Sequence, residues 1–104
     1  MATTSKALFR GAASTSSTTL YTVPTISTTT VVTNVLVANT AASAATFDLS
    51  IDGVQIANDV AIAANDTLSI DLKQVIPANA TPKTITGLAS AITVNFHISG
   101  VEIV

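Results

Sequence analysis

Alternation of apolar and polar residues is the feature of this sequence that most constrains its fold. From Ala45 to Asp52 the odd-numbered positions are apolar and the even-numbered positions are polar. Successive side chains of a β-strand point to opposite faces, so this pattern predicts a strand with one buried face. Asp52-Gly53 follows directly and predicts a type I′ hairpin turn. The expected fold class is therefore all-β.

The same period recurs between turn signals along the rest of the chain. Thr29 to Asn39 has valines on both faces, which predicts a central strand, or one whose outer face is covered by a partner. Gly100 predicts a bulge, beyond which the alternation passes to Val101 and Ile103. Further inward positions are expected at Leu68, Ile70, Leu72, Ile92, Val94, Phe96 and Ile98. Seven to eight strands at this spacing predict a single antiparallel β-sandwich, either jelly-roll or Ig-like.

The first 17 residues lack this period. They are mostly small and hydroxylated, so we expect an extended N-terminal arm at 1–17 and the β-sandwich domain at 18–104. Leu8 and Phe9 are two large apolar residues in this otherwise bland segment, which favours docking onto a partner, with packing onto the chain's own body as the alternative. The predicted partner interface comprises Leu8, Phe9, Arg10 and Tyr21.

Charge is scarce in this chain of 104 residues. Only 10% of the residues are charged, four of them are Lys or Arg, and the net charge is −2. Scattered basic residues cannot form the positive stripe that a phosphate backbone requires, so no nucleic-acid partner is expected. No apolar run approaches the roughly 18 residues of a membrane span, so no membrane partner is expected either. The chain has no cysteine and thus no disulfide.

Candidate catalytic groups are sparse and scattered. His97 is the sole histidine, and the chain has neither a cysteine nor a G-x-S-x-G motif to supply a nucleophile. Asp48 and Asp52 share a strand face, but four positions of a strand separate them by about 13 Å, too far for one ion. The sequence therefore predicts a protein that is not an enzyme, with no catalytic residue, metal site or cofactor.

Several stretches of the sequence resemble a family of small bacteriophage virion proteins. The most specific are LYTVP at 20–24, VANT at 37–40 and FHISGVEI at 96–103, and the likeness extends from LFRG onward. The resemblance implies a capsid cement (decoration) protein that stabilises the head by bridging capsid subunits, or else a neck, tail or baseplate component. A receptor-binding or sugar-binding module is a third alternative. After Pro24 many relatives have a Gly-containing turn, whereas this chain has Thr25-Ile26-Ser27.

The stretch from Gly11 to Phe47 carries no charge, although its composition is prone to form strands. Open edges in such a stretch would favour aggregation, and burial in a symmetric oligomer removes that hazard. We therefore expect a homo-oligomer, with a trimer favoured and a dimer next. The expected partners are the phage major capsid protein or other virion proteins. The expected location is the virion, assembled in the cytoplasm of a bacterial host.

Overall fold

A computed structural model describes residues 2–104, and within them every regular element is a β-strand. The strands are β1 (Thr3–Ala12), β2 (Thr18–Thr22), β3 (Thr29–Asn39), β4 (Ala45–Ile51), β5 (Val54–Ile62), β6 (Thr67–Ile76), β7 (Thr84–Ala89) and β8 (Val94–Ile103). They form two four-stranded sheets, in the orders β1-β8-β3-β6 and β2-β7-β4-β5. All pairs are antiparallel, so the predicted all-β antiparallel sandwich is confirmed.

The order of pairing identifies the topology. β1 pairs with β8, β2 with β7, β3 with β6 and β4 with β5, as in one long hairpin whose tip is the β4–β5 turn. Rolling this hairpin places β3 beside β8 and β4 beside β7, which completes the two sheets. Eight strands wound in this way form a jelly roll, the first of the two predicted topologies.

The core lies between the sheets and follows from the alternation in the sequence. Phe47 of β4 and Phe96 of β8 meet edge to face, with ring centroids 6.0 Å apart. This T-shaped arrangement is favoured by the charge distribution of aromatic rings. At the tip of the hairpin, Asp52 and Gly53 have φ values of 55° and 75°. Both are positive, as a type I′ turn requires.

The N-terminal segment differs from the expected arm, because residues 3–12 form β1 and pair with β8 along their length. A bulge between Ala7 and Phe9 turns Leu8 into the core, where it is 7% exposed, and Phe9 packs against the same core. Sequence reasoning missed this strand for two reasons. Leu8 is the only fully buried side chain of its ten residues, and the strand that it pairs with lies at the other end of the chain.

β8 also differs from its prediction, because it continues through Gly100 without a bulge. The irregularities lie in its neighbours, at Leu8 of β1 and between Val32 and Asn34 of β3. A Cβ at Gly100 would lie 2.4 Å from the carbonyl oxygen of Val31, so the close approach of β3 requires a glycine there. Since the alternation of β8 is unbroken, Val101 lies on the outer face of its sheet.

Two further predictions of inward-facing residues need correction. Ile92 lies in the β7–β8 loop and is 69% exposed. Leu68 lies opposite the buried Val37 and faces inward, yet it is 36% exposed because β6 is an edge strand. The second sheet covers the inner face of an edge strand only in part.

Candidate interaction surface

The four residues predicted as a partner interface occupy different environments. Leu8 and Tyr21 are buried within the chain's own body, and Phe9 is half-buried. Arg10 is exposed on the outer face of β1, in register with His97 of β8. The chain itself therefore leaves Arg10 and part of Phe9 open to a partner. Whether these two contact one stays a prediction.

Tyr21 belongs to a polar network that joins the two sheets. Its hydroxyl lies 2.8 Å from Thr30 Oγ1 and donates to Glu102 Oε2 at 2.5 Å. Glu102 also forms an ion pair with Lys6, at 3.4 Å between Nζ and Oε2. Tyr21 is on β2, whereas Thr30, Glu102 and Lys6 are on β3, β8 and β1 of the other sheet. The network thus crosslinks the sheets at the end where the chain termini lie.

The surroundings of Tyr21 disfavour its ionised form. Burial, followed by the hydrogen bond to Glu102, raises the pKa of Tyr21 to about 12, against an ordinary value of 10.0. Both causes act in the same direction, because a phenolate would lose its hydration and would lie against a carboxylate. The hydroxyl is therefore a hydrogen-bond donor across the physiological pH range, which suits a structural contact.

The opposite end of the sandwich is closed by a second polar cluster around Asn39. Its Nδ2 donates to the carbonyl oxygen of Ser43 at 2.8 Å and to that of Ala63 at 3.3 Å. Its Oδ1 accepts from the amide of Ala41 at 3.1 Å and from the hydroxyl of Thr93 at 3.2 Å. One buried side chain thus holds three loops together, which makes this end a fixed and largely polar surface.

The outer face of the second sheet is covered mainly by hydroxyl groups. Its outward residues alternate with the buried residues of β4 and β7. They include Thr46, Asp48, Ser50, Thr84, Thr86 and Leu88, with Thr19 and Thr22 on β2 in register beside β7. Asp48 Oδ1 accepts a hydrogen bond from the amide of Asp59 at 2.7 Å, so this carboxylate supports the local turn of β5. Such a face is well suited to water.

The outer face of the first sheet is different, because it carries an apolar row near the termini. Val31 of β3 is in register with Val101 of β8 on one side and with Val75 of β6 on the other. Ile103 is the next outward residue of β8. Val75 is 59% exposed, while the other three are half-buried by one another and by their neighbours. We call Val31, Val75, Val101 and Ile103 the valine patch.

Other exposed apolar side chains lie at or near the same end of the sandwich. This end is formed by both termini, the β2–β3 and β6–β7 loops and the β4–β5 turn. Besides Val75, its exposed large apolar residues are Ile26, Val54, Ile56 and Val104. Contiguous apolar surface of this kind marks sites of protein contact more often than single exposed residues do.

The groups considered for chemistry remain dispersed. His97 is half-buried on the outer face of β8, in register with Arg10 and Leu36. Asp52 pairs with Lys83 at 3.4 Å. Within residues 2–104, no group of three or more His, Asp or Glu side chains is placed to hold a metal ion. The same residues include no helix long and apolar enough to cross a membrane.

Comparison with known proteins finds similarity in fold. The structure is similar to a chain of the infectious bursal disease virus T13 particle, with a TM-score of 0.55 and 13% identity, covering 97% of this chain and 30% of that one. For a chain of the Gx strain of the same virus, the values are 0.50, 16%, 97% and 32%. For the C-terminal domain of EclA, a sugar-binding protein, they are 0.46, 16%, 96% and 75%. No protein-family model and no curated protein matches the sequence.

At these identities the likeness establishes the fold alone. The chain has the jelly-roll fold of the two viral chains, and it spans about a third of the length of each. The specific bacteriophage family suggested by the sequence is not identified by these matches. The fold is one that proteins of virus particles use.

The valine patch was not among the residues predicted to meet a partner. Its signal was present in the sequence, since the two apolar faces of β3 predicted either a central strand or a covered outer face. The structure shows that β3 is central in its sheet. Its outer face nevertheless carries the half-buried Val31, so both halves of that prediction bear on the surface.

Proposed function

We propose that the chain is a structural subunit of a bacteriophage particle and works through contact surfaces. Its leading role in this proposal is that of a capsid cement protein, which binds the head and bridges subunits of the major capsid protein. The observation that carries the proposal is the jelly-roll strand order, shared over 97% of the chain with a protein of a virus particle. The sequence resemblance to phage virion proteins supports the choice of phage.

Surface chemistry supports a contact role. One sheet presents a face rich in hydroxyl groups, while the other presents the valine patch. A subunit that sits between neighbours needs one face suited to water and another suited to contact. Neither face requires a cofactor or a reaction for this role.

The second candidate is a neck, tail or baseplate component, which has the same needs for contact area and the same resemblance. A sugar-binding module is a third, and it would use a different kind of surface, since sugar sites combine aromatic platforms with polar groups. The four aromatic residues of the chain offer little support for such a site. Phe47 and Phe96 are buried in the core, Tyr21 is buried in its network and Phe9 is half-buried.

The test is cosedimentation of the purified chain with emptied phage heads and, separately, with purified tails. A cement protein should sediment with heads at a fixed ratio and raise the temperature at which they break. Binding to tails alone would move the assignment to the second candidate. Binding to a glycan array, with neither heads nor tails bound, would support the third.

A further inference from the structure

We infer that the outer face of the first sheet is a self-association surface, on which the valine patch of one copy packs against that of a second copy around a two-fold axis. The inference rests on the proposed function for its setting and names the partner as this chain itself. It commits to a dimer, the second of the two predicted oligomeric states.

The register of the sheet makes the patch self-complementary. Consider a two-fold axis parallel to the strands and midway between β8 and β3, the two central strands. Such an axis places β8 of one copy over β3 of the other, so Val101 meets Val31 of the second copy and Val31 meets Val101 in return. An isologous contact has this reciprocity by definition. Sheets stack face to face at about 10 Å with a small angle between strand directions, which suits short branched side chains.

The same axis brings opposite charges together at the edges of the face. It places β1 of one copy over β6 of the other, since these are the two outer strands. Arg10 is exposed on the outer side of β1, and its row across the sheet ends at Ser69 of β6. Asp71 is the next outward residue of β6, about 7 Å along the strand and within reach of an arginine side chain.

Both of these charges are available for a contact between copies. Among residues 2–104 the ion pairs are Lys6 with Glu102 and Lys83 with Asp52, so neither Arg10 nor Asp71 is paired. Asp71 accepts a hydrogen bond from Asn34 Nδ2 at 3.0 Å, which leaves further lone pairs on its carboxylate. Lys73, also exposed on β6, lies one outward position nearer the valine row and stays at the rim.

The size of the face is close to what a specific dimer needs. Its four strands are ten or eleven residues long. At about 4.8 Å between strands and about 3.3 Å per residue they cover roughly 600 Å² in projection. Side-chain relief raises the accessible area above the projected area, and a standard interface buries about 800 Å² per partner.

The experiment is sedimentation velocity of the full chain over a range of concentrations. Val75→Asp would place a carboxylate in the contact, so we expect its dimer dissociation constant to rise at least about tenfold. Val31→Thr should weaken the dimer less, since it keeps the side-chain shape. The matched controls are Thr22→Asp and Leu88→Thr on the outer face of the second sheet, which should leave the constant unchanged. Melting curves show that each variant is folded.

Several outcomes would overturn the inference. They are a wild-type monomer at all concentrations, a trimer, or a dimer that both patch variants leave intact. A monomer whose binding to heads is lost in Val75→Asp would mean that the patch meets the capsid protein instead of a second copy. Failure of the proposed function looks different: the chain would dimerise as inferred and bind neither heads nor tails.

Discussion

Raising the pH from 10 to 12 should destabilise the chain through Tyr21. The pKa of Tyr21 in the fold is about 12, whereas an unfolded chain has the ordinary value of 10.0. The folded state therefore holds the phenolic proton more tightly than the unfolded state does. The resulting stabilisation is fully present below pH 10 and is lost as the pH rises towards 12. Tyr21→Phe has no such proton and should lack this component.

The magnitude follows from the difference between the two pKa values. Each pH unit between them is worth about 1.4 kcal/mol, so the free energy of unfolding should fall by up to about 3 kcal/mol. At neutral pH, Tyr21→Phe removes the hydrogen bonds to Glu102 and Thr30 and should cost about 1–3 kcal/mol. The variant therefore starts less stable, and its curve should approach that of the wild type at high pH.

The assay is direct because the chain has one tyrosine and no tryptophan. The ultraviolet absorbance of tyrosinate therefore reports Tyr21 alone, while circular dichroism at each pH shows whether the chain is folded. Urea denaturation of wild type and Tyr21→Phe at several pH values gives the difference in stability and cancels the contribution of the lysines. A tyrosinate midpoint near pH 10 in the folded protein would refute the reasoning. Equal alkaline losses in both proteins would do the same.

Three further substitutions test the remaining contacts. Glu102→Gln should lower the pKa of Tyr21 in the absorbance titration but leave it above 10, because burial is the larger cause. Leu8→Ala should cost about 2–4 kcal/mol in urea denaturation, whereas the exposed Ala7→Ser should cost little; an unchanged midpoint for Leu8→Ala would mean that this segment behaves as an arm. Gly100→Ala should cost about 1–3 kcal/mol or more, since its Cβ would meet the carbonyl oxygen of Val31, and a fully stable variant would contradict that packing.

Local pattern was sufficient for the strands that the sequence describes by itself. β3 was predicted with its observed bounds, and Phe47, Leu49 and Ile51 face inward as their alternation requires. The β4–β5 turn follows from Asp52-Gly53. In these segments the burial of one face and the conformation of the turn depend on residues that are adjacent in sequence, so a single sequence contains the necessary information.

The candidate surface could not be predicted in the same way, because it depends on pairing between distant strands. Val75, Val31 and Val101 lie in three strands and form one row only through the register of the first sheet. β1 was missed for the same reason, since its partner is the last strand of the chain. Local periodicity gives the faces of each strand but not which strands are neighbours.

One reading of Gly100 explains both the outer surface and the inner network. Before this residue the apolar side chains of β8 are at even positions, and after it they are at odd positions. A bulge in β8 would have kept both sets in the core. Because Gly100 lets β3 approach closely, the extra residues are in β1 and β3, and β8 stays regular. Val101 therefore faces outward in the valine patch, while Glu102 faces inward, where Tyr21 and Lys6 bind its carboxylate.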